Sequence, residues 1–336
     1  MNAKICGMAR QLCIPQPPPK PAFPSDKHVK EIEHSYIREH RLPRMQLAGL
    51  VSQTAVERYI AAELVSFERK DVLTKSYPLG DHVIICEGDS WFNHPLLSDI
   101  PDLLKYFGYS VLQSNYPGKY LEASLSEGKF LAPLRDARKP QIKALLLSGG
   151  GNDLISWKKG NASFSPIFRK GRSTTSPTDY IDGANLKRAL QDVTRSLVRI
   201  SDKLAQANAN GLSVLLHCYD YIFPKRYGPS PLKGTWINPQ LDAIGAPQDV
   251  GFRKRISGEL QKSWIQAYRR TCGQLGWHFI KTQDLVKNRW HDEIHPKNDG
   301  FYDISSAYWQ LLHKLGILPS RKVTRFTTTD RLPPVR

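Results

Sequence analysis

Short apolar runs that alternate with helical patterns constrain the fold of this sequence more than any other feature. Apolar residues recur at three- and four-residue steps from Leu186 to Leu204 and again from Ile256 to Leu275, as they do in amphipathic helices. Five apolar runs, each short enough for a buried strand, occupy residues 82–86, 109–112, 142–147, 212–216 and 277–280. Buried strands that alternate with such helices predict a doubly wound α/β fold, in which helices cover both faces of a parallel sheet.

The distribution of these runs predicts four parts in a chain of 336 residues. Residues 1–26 are rich in proline and predict an extended arm. Residues 27–79 predict a helical segment, 80–318 the α/β domain and 319–336 a basic tail. The α/β domain is also expected to carry two insertions, near 156–182 and 219–252.

The charge of the chain is strongly positive, with 48 Lys and Arg against 31 Asp and Glu, a net +17. A field of this sign attracts phosphates, anionic lipid surfaces and acidic glycans. The basic residues are scattered, however, and no helix-turn-helix, RRM or zinc-finger pattern is present. Nucleic acid is therefore not the favoured partner, whereas an anionic membrane surface remains open.

Cysteine usage and hydropathy bear on the compartment. The five cysteines lack zinc-ligand spacing, which favours free thiols in a reducing compartment. Residues 1–24 lack the apolar core of a signal peptide, and no apolar run is long enough to span a membrane. A cytoplasmic location is the default expectation. The alternative is an effector exported without such a signal, with a protein partner for the N-terminal segment or an inhibitory partner in its producer.

Polar motifs that can carry chemistry follow three of the predicted strands. Ser90 comes just after the first strand, on a Gly-containing turn that is expected to lead directly into a helix. Asn152 follows the third strand, and Asp292 and His295 follow the fifth. Ligands of doubly wound sheets bind at the carboxyl ends of the strands, so these side chains are expected to meet there. Taken singly, each motif is equally typical of a turn or a helix cap.

Together, in order and spacing, these motifs resemble the SGNH, or GDSL-type, serine hydrolases. Gly88-Asp89-Ser90 looks like the family's first block, Gly151-Asn152-Asp153 like the third and 292–296 like the fifth. The second block has the loosest match, and Gly118 offers the glycine that it needs. The resemblance covers residues 80 to 316, with a last helix expected to begin near Ser305. It implies a flavodoxin-like three-layer α/β/α sandwich with a central, mostly parallel five-stranded sheet.

The mechanism that the resemblance implies is acyl transfer through an acyl-enzyme. Ser90 would be the nucleophile, His295 its base and Asp292 the carboxylate that orients His295. The oxyanion hole would consist of Ser90, Gly118 and Asn152. No metal or organic cofactor is implied.

Other residues near these motifs have more modest expectations. Asp89 is expected to hydrogen-bond within its turn, Asp153 to cap a helix and His94 to pack rather than to act as a second base. Aromatic residues in the insertion at 219–252 would suit a lid or an acyl-chain groove. The candidates for substrate binding are Trp91, Gly151 and Trp236.

Three functions are compatible with these features. The first is a lipase or phospholipase-like esterase, which positive charge and aromatic insertions favour. The second is an O-acetyl esterase acting on a polysaccharide or peptidoglycan, which the same residues could perform. The third belongs to another class, a basic protein that binds nucleic acid or anionic surfaces through a non-catalytic fold of the same type.

Overall fold

A five-stranded parallel sheet organises the part of the chain that the computed structural model describes. The described residues are 16–21, 23, 82–94, 97–135, 141–171, 176–209, 211–225 and 236–319. The strands are β1 (Val83–Glu87), β2 (Ser110–Gln113), β3 (Ile142–Leu147), β4 (Ser213–His217) and β5 (His278–Ile280). They lie in the order β2-β1-β3-β4-β5, and every neighbouring pair is parallel. This order is the flavodoxin-like one, and it confirms the predicted fold class.

Eight helices accompany the sheet in the described residues. They are α1 (Ile100–Tyr106), α2 (Leu121–Glu127), α3 (Ala132–Arg135), α4 (Gly151–Ile155), α5 (Gly183–Gln206), α6 (Asn238–Ala243), α7 (Val250–Leu275) and α8 (Asn298–Lys314). Short 3-10 turns occur at Lys129–Leu131 and Pro177–Tyr180.

The strand order explains how these helices form two layers. The connection through α1 runs from β1 outward to β2, whereas the connections through α5 and α7 run in the opposite direction across the sheet. Right-handed crossovers therefore place α1 on one face and α5 and α7 on the other. In agreement, α8 packs on α1, and α5 packs on α2 and α7.

The long helix α5 shows how the sequence pattern produces this packing. The carboxylate of Asp182 accepts a hydrogen bond from the backbone N–H of Asn185 at 2.8 Å and caps the first turn. The predicted apolar stripe is buried along the whole helix. The helix ends at Gln206, with Ala207 as its C-cap residue, and Asn208 takes the left-handed conformation, with φ of 53°. Asparagine tolerates that conformation better than most residues.

Two helix starts differ from the sequence prediction. No helix follows Ser90 directly, because residues 89–93 form a single turn and α1 begins only at Ile100, after the Asp99 cap. Pro95 disfavours helical backbone at His94 and explains the interruption. The last helix begins at Asn298, seven residues before the expected Ser305.

The predicted flanking segments lie almost entirely outside the described residues, and the proposed domain boundaries stay predictions. The exception is part of the Pro-rich arm. The hydroxyl of Tyr106 in α1 donates to the carbonyl of Pro19 at 3.0 Å, and Tyr302 in α8 donates to the carbonyl of Pro18. Lys20 lies over the ring of Tyr302. Within the described part of the chain, no helix combines the length and apolar character required to cross a membrane.

Candidate active site

The turn that follows β1 presents Ser90. The backbone N–H groups of Phe92 and Asn93 both donate to the carbonyl of Asp89, at 2.9 and 3.0 Å, which closes one turn around Ser90. A side chain at Gly88 is excluded because its Cβ would lie 2.2 Å from the carbonyl oxygen of Ser148, which follows β3. The close approach of the two strand ends thus requires glycine immediately before this turn.

Ser90, His295 and Asp292 form a continuous chain of hydrogen bonds. The Oγ of Ser90 lies 2.7 Å from Nε2 of His295, and Nδ1 of His295 lies 2.8 Å from Oδ2 of Asp292. The other oxygen of Asp292 accepts the backbone N–H groups of Ile294 and His295, at 3.0 and 2.8 Å. All three side chains are buried. The structure therefore brings together the three residues that the sequence proposed as nucleophile, base and orienting carboxylate, at the separations that proton transfer requires.

The loop after β5 accounts for the three-residue spacing of Asp292 and His295. Trp290 and Pro296 form an isolated antiparallel bridge, and the backbone N–H of His291 donates to the carbonyl of His295 at 2.8 Å. These contacts close a tight loop, which turns the carboxylate back toward the imidazole that follows it.

His94 lies directly beside His295. The two ring centroids are 4.6 Å apart and the rings meet edge to face. Burial, together with the neighbouring His295 and His291, holds the pKa of His94 well below the ordinary imidazole value, so this ring is neutral near pH 7. The expected packing role agrees with this position, although the sequence gives no sign of the contact with His295.

The only group of three side chains with metal-ligand chemistry in the described residues is His94, Asp292 and His295. Their ligand atoms lie within 4.8 Å of one another. Both ring nitrogens of His295 are already engaged, one with Ser90 and the other with Asp292. The arrangement is therefore better suited to proton transfer than to holding a metal ion.

Asp89 is the centre of a buried cluster of hydrogen bonds that stabilises the Ser90 turn. The Oδ1 atom of Asp89 accepts the N–H of Trp91 at 3.1 Å and the hydroxyl of Ser148 at 2.8 Å, and Oδ2 accepts the hydroxyl of Tyr219. Burial raises the pKa of Asp89, and these donors oppose the rise. Asp89 thus has the expected structural role, which extends beyond its turn to the ends of β3 and β4.

Asn152, at the start of α4, faces a pocket next to Ser90. Its side-chain nitrogen donates to the carbonyl of Lys119 at 3.1 Å, and Asn152 and Ser90 both line the pocket. Gly150 precedes this helix with φ of 92°, and a Cβ there would lie 1.9 Å from the hydroxyl of Tyr268. Gly118 is also left-handed, with φ of 73°, but it does not line this pocket. Its place in an oxyanion hole stays a prediction.

Asp153 caps a helix, as expected, although not its own. Both of its carboxylate oxygens accept the backbone N–H of Leu121, the first residue of α2, at 3.2 and 3.1 Å. Burial raises the pKa of Asp153 to about 6. The contact ties α4 to α2 beside the loop that carries Lys119.

A buried ion pair, which the sequence did not reveal, anchors that loop to the end of β1. The Nζ of Lys119 lies 2.6 Å from a carboxylate oxygen of Glu87 and donates to the carbonyl of Ser114 at 2.8 Å. Glu87 also accepts the hydroxyls of Ser114 and Ser124. Both charged side chains are only 1% exposed. A charge pair this deep is stable only because the remaining lone pairs and protons also find partners.

The pocket beside Ser90 is lined by polar, apolar and aromatic residues. Trp91 and Gly151, two of the candidates for substrate binding, are among them. Trp236 does not line it, and instead its ring meets that of His295 edge to face at 5.2 Å. Tyr219, an aromatic residue of the 219–252 insertion, also lines the pocket, and the apolar lining residues that the sequence did not single out for binding are Ile155, Ile222, Leu260, Trp264 and Ile294. The available signal for two of them is the four-residue step from Leu260 to Trp264, which by itself indicates only a core stripe.

Glu293 fastens the segment around Trp236 to the loop of Asp292 and His295. Its carboxylate accepts the backbone N–H groups of Trp236, Ile237 and Asn238, at 2.5, 2.8 and 3.1 Å. Burial raises the pKa of Glu293 to about 7, although these three donors oppose the rise. The position of the Trp236 ring against His295 thus depends on the carboxylate next to Asp292.

Solved structures similar to this chain include three hydrolases. A phospholipase A1 from Streptomyces albidoflavus is 16% identical, with 70% of this chain and 99% of that chain covered and a TM-score of 0.41. An extracellular lipase from Streptomyces rimosus is 14% identical, with 69% and 99% covered and a TM-score of 0.43. A GDSL-like lipase from Bacteroides thetaiotaomicron is 13% identical, with 70% and 89% covered and a TM-score of 0.37. No family model and no curated protein sequence matches the chain.

The fold and the site together define a class of protein. The chain is a doubly wound α/β protein in which Ser90, His295 and Asp292 are hydrogen-bonded in series at the carboxyl edge of the sheet. The motifs at these positions resemble those of the SGNH, or GDSL-type, hydrolases. The fold that this resemblance implied is confirmed by the strand order itself.

Proposed function

We propose that this protein is a serine ester hydrolase of the SGNH type, which acts through an acyl-enzyme on Ser90. The observation that carries the proposal is the chain of hydrogen bonds from Ser90 through His295 to Asp292, at 2.7 and 2.8 Å. A serine hydroxyl is a weak nucleophile until a base takes its proton. Here the base is in contact, and its second nitrogen faces a fully buried carboxylate that stabilises the imidazolium.

The reaction proceeds in two similar halves. Ser90 Oγ attacks the ester carbonyl while its proton passes to Nε2 of His295. The tetrahedral intermediate then loses the alcohol, to which His295 returns the proton. Water, activated by His295, attacks the acyl-enzyme in the same way, and the acid leaves with Ser90 restored.

Asn152 is the side chain best placed to stabilise the oxyanion of the intermediate. Its amide nitrogen carries two hydrogens, of which one is donated to the carbonyl of Lys119. The second remains for the oxyanion, together with the backbone N–H of Ser90. One such donor is typically worth about 3 kcal/mol in the transition state.

The proposal is tested by hydrolysis of p-nitrophenyl acetate and by labelling with a fluorophosphonate that carries a small alkyl group. The wild type should form a covalent adduct at Ser90, detected by mass spectrometry, and Ser90→Ala should lose both labelling and hydrolysis. Ser126→Ala is a matched control, because Ser126 lies exposed on α2. Hydrolysis retained by Ser90→Ala would refute the proposal.

The sequence left two esterase functions open, the lipase or phospholipase and the O-acetyl esterase. They differ in the length of the acyl group that the protein would accept. The positive charge favours substrates or surfaces that are anionic, and an anionic membrane surface or an acidic glycan would satisfy it equally well. The charge alone therefore does not choose between them.

A further inference from the structure

The pocket beside Ser90 is the place where the acyl group of an ester would lie, if the proposed function holds. Ser90 and Asn152, the two groups assigned to the oxyanion, both line it. The acyl substituent of a carbonyl bound by these groups would meet the other lining residues. Most of these are apolar or aromatic, namely Trp91, Ile155, Tyr219, Ile222, Leu260, Trp264 and Ile294.

The space enclosed in this pocket is small, about 20 Å³, whereas one water molecule needs about 10–15 Å³ by the same kind of measure. It holds about one methyl group beyond the carbonyl carbon, and a longer acyl chain would extend out of it. Of the aromatic residues in the 219–252 insertion, which the sequence associated with a chain groove, Tyr219 lines this pocket and Trp236 does not.

The aromatic residues that line the pocket, Trp91, Tyr219 and Trp264, form a wall that is held in place by contacts on several sides. The ring of Tyr219 meets Trp91 at 4.8 Å and Trp264 at 5.0 Å, and its hydroxyl is bound by Asp89. On its far side, Trp264 meets Tyr268 edge to face at 5.6 Å. Interlocked aromatic pairs gain energy beyond their buried area, so moving one ring outward costs several contacts at once.

The backbone of Gly151, next to Asn152, also lies close to this wall. A Cβ added at Gly151 would lie 3.1 Å from the Tyr219 ring and 3.2 Å from Trp264. The backbone at the start of α4 is therefore already in near contact with the wall. Because the aromatic wall and the backbone of α4 are both closely packed, the pocket does not widen by a simple change of side-chain rotamer.

We propose that the acyl pocket selects acetyl esters, so that the protein is an acetyl esterase. In the first step, Ser90 Oγ bonds to the acetyl carbon, the ester C–O bond breaks, and the serine proton passes through His295 to the departing alcohol. In the second step, a water oxygen bonds to the same carbon, the bond to Ser90 breaks and acetic acid forms, which ionises at neutral pH. The methyl group lies against the apolar lining residues of the pocket throughout.

The test compares kcat/KM for p-nitrophenyl acetate, butyrate and octanoate, together with labelling of Ser90 by the small fluorophosphonate. The wild type should prefer acetate to butyrate, and it should hydrolyse octanoate at least about 100-fold less well than acetate. Leu260→Ala and Ile222→Ala enlarge the pocket from two directions. Each should raise the butyrate-to-acetate ratio by about tenfold, the discrimination expected for one or two methylene groups.

Leu197→Ala is the matched control, because Leu197 is fully buried on α5 but does not line the pocket. It should destabilise the fold without changing the ratio. A wild type that labels at Ser90 but prefers octanoate would overturn the acetyl inference and leave the serine hydrolase intact. Absence of both labelling and hydrolysis would instead overturn the proposed function, and the acetyl inference with it.

Discussion

The buried pair of Lys119 and Glu87 offers a sharp test of how the loop beside the active site is held. Lys119→Met removes the ammonium but keeps most of the apolar length of the side chain. Among the described residues, it leaves the Glu87 carboxylate, which lay 2.6 Å from that ammonium, with the hydroxyls of Ser114 and Ser124 as partners. A buried charge that loses its counter-ion must either stay ionised at high cost or take up a proton.

The expected loss of stability follows from the burial of the pair. Removing one partner from a buried ion pair typically costs about 3–5 kcal/mol, since the other charge is left uncompensated. For a domain of about 200 residues this corresponds to a fall in Tm of roughly 6 to 20 °C. Adding Glu87→Gln to Lys119→Met should recover at least about half of the loss, because the stranded charge is then removed as well.

The assay is thermal unfolding followed by circular dichroism, with Lys262→Met as the control. The Nζ of Lys262 also lies 2.6 Å from a carboxylate oxygen, that of Glu259, but the Lys262 side chain is 59% exposed and that of Glu259 35% exposed. Its replacement should leave the Tm close to that of the wild type. If Lys119→Met lowered the Tm no more than Lys262→Met does, burial of the pair with Glu87 would not explain its contribution to stability, and the prediction would be refuted.

Three further changes have defined outcomes. Asp292→Asn should lower kcat for p-nitrophenyl acetate about 10⁴-fold through loss of the correct His tautomer, and less than a tenfold loss would contradict its role. Gly150→Ala should lower the Tm, since φ is 92° there and the new Cβ would lie 1.9 Å from the hydroxyl of Tyr268. Gly258→Ala is its control, because Gly258 lies inside α7, where a Cβ would meet no atom within 4 Å and alanine should be neutral or stabilising; equal Tm values for the two variants would contradict the steric argument. Burial raises the pKa of Glu293 from 4.5 to about 7, so the native state binds a proton that the unfolded chain releases between these pH values. The wild type should therefore lose stability relative to Glu293→Gln as pH rises through that window, and parallel Tm–pH curves would exclude this.

Much of this architecture could be predicted from the sequence, because strand and helix patterns depend on local periodicity. Each of the five strands lies within about one residue of its predicted position, and the helices α5 and α7 follow their apolar stripes. The meeting of Ser90, Asp292 and His295 also follows from local pattern, since parallel strands bring their carboxyl ends to one edge. Helix starts were less predictable, because they depend on caps such as Asp99 rather than on periodicity.

The residues that we propose select the acyl group could not be identified in the same way, for a physical reason. Tyr219, Leu260 and Trp264 bury apolar surface in the core and line the acyl pocket with the same side chains. A sequence pattern records that such a residue is apolar, but not which of its faces meets the substrate. The polar residues of the site stand out because three motifs occur together, in order, after three of the strands. The reaction class can therefore be predicted from the sequence. The proposed acyl preference depends on packing distances of a few ångströms, which only the folded chain defines.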